Sequence, residues 1–62
     1  MSSYVKYYKK HQEFLRWWAK KWAEAVTSGE ISSAVVSECY PTFNELAVRF
    51  GLIKEFRKYG LI

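Results

Sequence analysis

The sequence predicts an all-α single domain, residues 1–62, with three to four helices. Apolar side chains recur at steps of three and four residues, which is the spacing of an amphipathic helix. Glycines at positions 29, 51 and 60 follow these periodic stretches, where a glycine commonly ends a helix. With 62 residues, half of them hydrophobic, the chain is long enough for one domain with a small core.

The longest periodic stretch covers residues 4–26. Its apolar face, widened at one edge by Tyr7 and Phe14 and at the other edge by Ala19, consists of Tyr4, Tyr8, His11, Leu15, Trp18, Trp22 and either Ala25 or Val26. The opposite face is charged and carries Lys6, Lys9, Glu13, Arg16, Lys20 and Glu24. The segment 27–29, Thr-Ser-Gly, ends the pattern. A helix of about 22 residues spans about 33 Å, so the rest of the chain has to fold back against this apolar face.

Residues 30–40 carry a weaker pattern, for which we favour a short helix. Thr27 and Glu30 have the Thr-x-x-Glu spacing of a capping box that would open this helix. An extended or irregular segment is the alternative, because the β-branched valines at 35–36 and the nearby serines disfavour a helix. Pro41 is expected to end the segment, since a proline disfavours helical geometry in the residue before it.

A third helix is predicted after this proline. Thr42 and Glu45 again have the spacing of a capping box. The apolar face of the helix consists of Phe43, Leu46, Ala47 and Phe50. Gly51 is expected to end it in the left-handed conformation.

A last helix of about two turns is predicted over Ile53–Tyr59, because apolar residues recur there at helical spacing. Gly60 provides the second stop. Leu61 and Ile62 are apolar and are expected to return to the core.

Residues 41–52, Pro-Thr-Phe-Asn-Glu-Leu-Ala-Val-Arg-Phe-Gly-Leu, resemble the first half of a helix-turn-helix. In that family a capped helix carries Glu-Leu-Ala, and a glycine makes the sharp turn into the second helix. The last five residues, 58–62, are similar to the end of short winged-helix domains that share this opening. The resemblance is confined to residues 41–62. The chain departs from the family in having no Ser or Thr cap before the second helix, and in placing Arg57 where an apolar residue is usual.

The resemblance implies that Ile53–Tyr59 is a recognition helix placed in the major groove, with the long first helix as its support. It implies a small DNA-binding transcriptional regulator whose partner is double-stranded DNA. The implied contacts to phosphates or base edges are Arg49, Lys54, Arg57 and Lys58, with Asn44 as a polar contact at the start of its helix.

Charge is unevenly distributed along the chain, whose formal net charge is +4. Residues 1–26 hold six cations against two glutamates, and residues 49–62 hold four cations against one. Residues 27–48 hold three glutamates and no Lys or Arg. Clustered cations at both ends favour contact with a polyanion, because they raise the local positive potential. The alternative is a solvated surface that keeps an aromatic-rich small protein in solution.

Trp17 falls about 140° away from the apolar face of the first helix, between Lys10 and Lys21. A tryptophan exposed among lysines is typical of a stacking or cation–π site and of a protein-interface anchor. The alternative is that the middle segment buries it. We expect Lys10, Lys20 and Lys21 to contact phosphates if the first helix also touches the duplex, or to contact a protein partner together with Trp17.

Three Trp, five Tyr and four Phe are many for a core of this size. The 4-8-11-15-18-22 spacing is heptad-like, so a homodimer formed through the first helix is predicted. Two other function classes stay open. One is binding to a membrane surface by the cationic amphipathic first helix, and the other is a helical interaction module, inhibitor or adaptor for a larger protein.

The composition argues against an enzyme and a small-molecule substrate. Without aspartate a Ser-His-Asp triad is excluded, and there is no glycine-rich phosphate loop. A single histidine, His11, and a single cysteine, Cys39, predict no metal site, and no cofactor is expected. Residues 1–3, Met-Ser-Ser, precede basic aromatic sequence unlike a signal peptide. We therefore expect a cytoplasmic protein. Compact chains of this sort often belong to viruses or plasmids, so a viral or plasmid origin is also expected, with the host cell cytoplasm as the location if the protein is viral.

Overall fold

The computed structural model describes residues 3–62 and shows an all-α protein, as the sequence predicts. The described helices are α1 (Ser3–Thr27), α2 (Ser33–Glu38), α3 (Tyr40–Phe50) and α4 (Ile53–Lys58). No strand occurs among residues 3–62, so the helix-turn-helix resemblance rests on α3 and α4 without a β-hairpin wing. Met1 and Ser2, on which the absence of a signal peptide was partly argued, lie outside the described residues.

The core lies between the apolar face of α1 and the three shorter helices. Its buried side chains are Leu15, Ala19, Val36, Phe43, Ala47, Phe50, Leu52, Phe56 and Leu61. Aromatic rings close the α1 side, where the ring centroid of Phe43 lies 5.4 Å from that of Trp18 and 5.1 Å from that of Trp22. The monomer therefore uses most of the predicted apolar face of α1 for its own core. Tyr4, at the N-terminal end of that face, is 70% exposed.

The start of α2 differs from the prediction. Thr27 belongs to α1, and its hydroxyl donates to the Ala23 carbonyl at 2.9 Å. The backbone N–H groups of residues 28–31 also donate to carbonyls of α1, so this stretch closes the first helix and opens no other. Ser32 is the N-cap of α2, and its side chain accepts a hydrogen bond from the N–H of Val35. The predicted Thr27–Glu30 capping box is therefore wrong.

The start of α3 also differs. The helix begins at Tyr40, before Thr42, so the predicted Thr42–Glu45 capping box is wrong as well. Its N-cap is Cys39, which makes no side-chain capping hydrogen bond. The segment before it does end ahead of Pro41, but Pro41 itself lies in the first turn of α3. A proline is well tolerated there because the first N–H groups of a helix have no intrahelical acceptor.

The turn from α3 to α4 is built around Gly51, which has φ +66° and ends α3 as predicted. The N–H of Leu52 donates to the Ala47 carbonyl at 2.8 Å, and the N–H of Gly51 donates to the Val48 carbonyl at 3.4 Å. These two bonds form a Schellman motif, which is commonly accompanied by an apolar contact across the turn. Ala47 and Leu52 are both fully buried here. Two residues thus separate α3 from α4.

The end of the chain follows the predicted pattern. Gly60 has φ +76°, and the N–H of Leu61 donates back to the Phe56 carbonyl at 3.0 Å. Leu61 is buried and Ile62 packs against the core. The C-terminal residues thereby hold α4 against the rest of the molecule.

Candidate nucleic-acid interface

One side of α4 faces α1. Phe56 is fully buried, and its ring centroid lies 6.3 Å from that of Trp18. Glu55 is turned the same way, with its Oε1 atom 3.7 Å from Nε of Arg16. The only carboxylate of α4 is therefore paired with a cation of α1.

The other side of α4 is cationic and open to solvent. Lys54, Arg57 and Lys58 are all exposed. Within residues 3–62, none of the three lies within salt-bridge distance of a carboxylate. Nζ of Lys58 lies 5.8 Å from the ring centroid of Tyr59. Ile53, 38% exposed, is one helical turn before Arg57 and shares its side. Three cations without a neutralising acid give this face a positive potential.

Arg49 and Asn44, the two DNA contacts predicted on α3, are both exposed but point to different sides of the helix. Five residues correspond to about 140° around a helix axis. Arg49 lines a groove of about 280 Å³ whose other residues are Tyr4, Tyr7, Tyr8 and Phe50. The structure therefore places Arg49 beside the N-terminal turns of α1, away from Asn44.

The four α1 residues predicted as phosphate or partner contacts do not form one cluster. Lys20 lies on the α4 side of α1, where it lines a groove with Tyr59. Trp17 and Lys21 line a different groove together with Trp18, Trp22 and Ile31. Lys10 is exposed about two turns earlier, on the same side of α1 as Trp17. Lys20 therefore extends the cationic face of α4, and the other three belong elsewhere.

Trp17 is 55% exposed, so the middle segment does not bury it. Its ring centroid lies 5.9 Å from that of Phe14, and Nζ of Lys21 lies 6.0 Å from the Trp17 ring centroid. That lysine also makes an exposed ion pair with Glu24 at 3.3 Å. Tryptophan, phenylalanine and lysine thus form a contiguous surface on α1.

Tyr7 and Phe14 were expected to widen the core face of α1, and this expectation is wrong. They are 55% and 54% exposed, because the three short helices cover only the sides of α1 that carry the core residues. Together with their neighbours they form a second row along α1, here called the outer stripe, which consists of Tyr7, Lys10, Phe14, Trp17 and Lys21. The sequence signal for it is the 7-10-14-17-21 spacing, which runs parallel to the core spacing.

His11 and Cys39, the two residues considered as metal ligands, contact other parts of the protein. Nδ1 of His11 lies 3.1 Å from the Tyr7 carbonyl oxygen, and the imidazole stacks on the Phe50 ring at 5.6 Å. Cys39 is half-buried against the core. Residues 3–62 contain no group of three His, Cys, Asp or Glu side chains able to hold a metal ion.

Among residues 3–62, no helix combines the length and hydropathy needed to cross a membrane.

Comparison with known proteins gives no relative for this chain: no protein-family model, curated protein or solved structure matches it.

Proposed function

We propose that the protein binds double-stranded DNA through the exposed face of α4 and acts as a small transcriptional regulator. One observation carries the proposal: Lys54, Arg57 and Lys58 are exposed and unopposed among the described residues, while Glu55 is turned away toward Arg16. Lysine and arginine contacts to phosphates supply most of the sequence-independent affinity of DNA-binding proteins. The cations of α4 are arranged to make such contacts.

The connection between α3 and α4 supports this use. Leu52 and Phe56 are fully buried and hold both the start and the middle of α4 in place. A helix with its side chains is about 10–12 Å across, which fits a major groove about 12 Å wide, and the six residues of α4 span about 9 Å along the helix axis. Arg57 is exposed on this face and is suited to the bidentate contact that arginine makes with guanine. Lys54 and Lys58 are assigned to phosphates.

Lys20 is assigned to the same face, because it lines a groove with Tyr59 at the end of α4. Arg49 and Asn44 are assigned to the periphery, where each contacts the backbone of the duplex at most. Cytoplasmic location and viral or plasmid origin stay predictions from the sequence.

The membrane-surface alternative is less well supported by the fold. Interfacial helices insert their apolar face among lipids, but Leu15 and Ala19 at the centre of this face are buried under the shorter helices. The interaction-module alternative is favoured by a separate observation, the exposed outer stripe on α1, and it does not compete with DNA binding by α4.

Binding to a fluorescent random-sequence duplex, measured by anisotropy at several salt concentrations, tests the proposal. The double variant Lys54→Ala/Lys58→Ala is expected to reduce the slope of log K against log salt concentration by about two, because both lysines are assigned to phosphates and each phosphate contact contributes about 0.9. Its melting temperature is expected to stay close to that of the wild type, because both side chains are exposed.

Lys6→Ala/Lys9→Ala is the matched control, because it removes the same charge from exposed positions near the N-terminal end of α1 that are assigned neither to the α4 face nor to the outer stripe. This control is expected to keep most of the affinity and of the salt slope. An equal loss in both double variants would show that net charge, and not α4, determines binding. Absence of salt-dependent binding by the wild type would reject the proposed function itself.

A further inference from the structure

The outer stripe of α1 is a second exposed surface, and its chemistry differs from that of α4. Its three aromatic side chains, Tyr7, Phe14 and Trp17, are each 54–55% exposed. The ring centroids of Phe14 and Trp17 lie 5.9 Å apart. Isolated exposed apolar residues are normal on protein surfaces, whereas adjoining exposed aromatic rings indicate an interaction site. The steps of three and four residues along this row are those of a coiled-coil seam. The stripe is therefore arranged to pack against another helix.

We propose that the outer stripe binds the outer stripe of a second copy of this chain, with the two α1 helices antiparallel. The heptad-like spacing that predicts a homodimer, 4-8-11-15-18-22, includes Leu15, Trp18 and Trp22, which the monomer already uses for its own core. The outer stripe has the same periodicity and is uncovered among residues 3–62. The inference does not depend on DNA binding by α4.

The pattern of charges along the stripe selects the antiparallel arrangement. With the two-fold axis at the level of Gln12, Lys10 lies opposite Phe14 of the second copy, and Tyr7 lies opposite Trp17 of the second copy. The symmetry repeats both contacts. Each Lys10 ammonium then faces an aromatic ring, which is a favourable cation–π geometry, and the two remaining aromatic residues pack on each other.

A parallel, in-register pair lacks these contacts. It would place Lys10 against Lys10 and Lys21 against Lys21, so like charges would meet at two of the five positions of the stripe. In the antiparallel pair Lys21 lies opposite Ser3, at the end of an overlap of about 28 Å. Of these two arrangements, only the antiparallel pair places the lysines of the stripe away from each other.

The area of the stripe fits a weak, concentration-dependent dimer. Aromatic side chains bury about 150–250 Å² each when fully covered, and about half of that is still exposed here. Six rings therefore contribute about 500–800 Å², and the lysine stems bring the total toward the roughly 1,200 Å² at which specific interfaces begin.

Sedimentation equilibrium of the full chain, from about 10 µM to about 1 mM, tests the proposal. The wild type is expected to convert from monomer to dimer over this range. Phe14→Ala/Trp17→Ala is expected to raise the dissociation constant at least about tenfold, because central aromatic residues dominate interface energies. Tyr40→Ala is the matched control, since Tyr40 is 48% exposed but lies on α3, and it is expected to leave the constant unchanged.

Cysteine cross-linking in a Cys39→Ser background tests the orientation. A mixture of Ser3→Cys and Lys21→Cys chains is expected to form the mixed disulfide on oxidation, because these two exposed positions lie opposite each other and neither carries an aromatic contact of the dimer. Lys21→Cys alone is expected not to cross-link, because antiparallel helices hold the two positions about 27 Å apart, far beyond the roughly 7 Å limit of a disulfide. Circular dichroism of each variant establishes that it is folded.

Three results would overturn the proposal. One is a wild-type chain that stays monomeric at about 1 mM. Another is efficient self-cross-linking of Lys21→Cys, which the antiparallel pair centred at Gln12 does not allow. The third is a stripe variant that self-associates like the wild type and loses only its binding to vesicles of anionic lipid, which would assign the stripe to a membrane surface.

Discussion

The side-chain amide of Gln12 donates a 2.7 Å hydrogen bond to the backbone carbonyl of Phe50, 38 residues away. Phe50 is the last residue of α3, and the last carbonyls of a helix have no intrahelical donor. The long helix therefore caps the C-terminus of α3 immediately before the turn into α4. Its neighbour Tyr8 packs its ring 5.4 Å from the Phe50 ring. Two residues of α1 thus fix the point at which the cationic helix begins.

Replacing Gln12 by alanine is expected to lower the free energy of unfolding by about 1 kcal/mol, since one partly buried hydrogen bond is lost. Gln12→Glu is expected to lower it further at neutral pH, because a carboxylate cannot donate and repels the Phe50 carbonyl. In a domain of this size, 1 kcal/mol corresponds to a melting temperature about 4–8 °C lower. Glu13→Ala, at the exposed neighbouring position, is the control and is expected to change stability by less than about 0.5 kcal/mol. Wild-type stability in Gln12→Ala would contradict a capping role.

Replacing Gly51 is expected to lower the free energy of unfolding mainly through backbone strain, and only slightly through steric contact. A Cβ atom there would have Tyr8 Oη 3.4 Å away, which is an ordinary contact, but the φ of +66° is unfavourable for side-chain-bearing residues. Gly51→Ala is expected to destabilise by about 1–2 kcal/mol, and Gly51→Asn by less, since asparagine tolerates the left-handed region. Thermal unfolding of the two variants gives the order. If alanine were as stable as asparagine, steric space and not backbone conformation would set the cost.

Enlarging Ala47 is expected to disturb the junction between α3 and α4. This side chain is fully buried beneath the turn, and its carbonyl accepts the hydrogen bond from Leu52. Ala47→Leu is expected to lower the free energy of unfolding by about 1–3 kcal/mol through overpacking. Val48→Leu is the control, because Val48 is 61% exposed on the same helix. Urea denaturation is expected to give a lower midpoint for Ala47→Leu than for Val48→Leu. Equal midpoints would mean that the junction accommodates a leucine side chain without overpacking.

The sequence identified the parts of this fold that are encoded locally. Helical periodicity located the long first helix, and the positive-φ glycines at 51 and 60 end helices where they were expected to. The starts of α2 and α3 were wrong because Thr-x-x-Glu spacing does not show which N–H groups are free. Residues 28–31 donate their N–H groups back to α1, so the threonine before them had no new helix to cap.

The candidate interface was predictable only in part. Exposure of Lys54, Arg57 and Lys58 followed from the period of the last helix. The exposure of Phe14 did not, because the width of the covered face of α1 depends on how three short helices pack on it. The pairing of Arg16 with Glu55 was also not predictable, since no local pattern relates residues 39 positions apart.

This last pair leads to a prediction that separates stability from binding. Arg16 and Glu55 are 49% and 36% exposed and 3.7 Å apart, and such surface pairs contribute about 0–1 kcal/mol. Glu55→Gln is therefore expected to change the free energy of unfolding by less than about 1 kcal/mol. It also removes the only carboxylate of α4 and releases the Arg16 guanidinium beside it. Affinity for duplex DNA is expected to rise about fivefold at low salt, which corresponds to about 1 kcal/mol for one nearby charge in water, and the gain should fade as salt screens it.

Glu38→Gln is the matched control, because it makes the same change in net charge at the exposed C-terminal end of α2. Anisotropy titrations of both variants on one duplex give the comparison directly. A local effect of α4 requires Glu55→Gln to bind more tightly than Glu38→Gln. If both variants gain the same affinity, binding depends on the net charge of the protein. The orientation of Glu55 toward Arg16 would then not contribute to DNA binding.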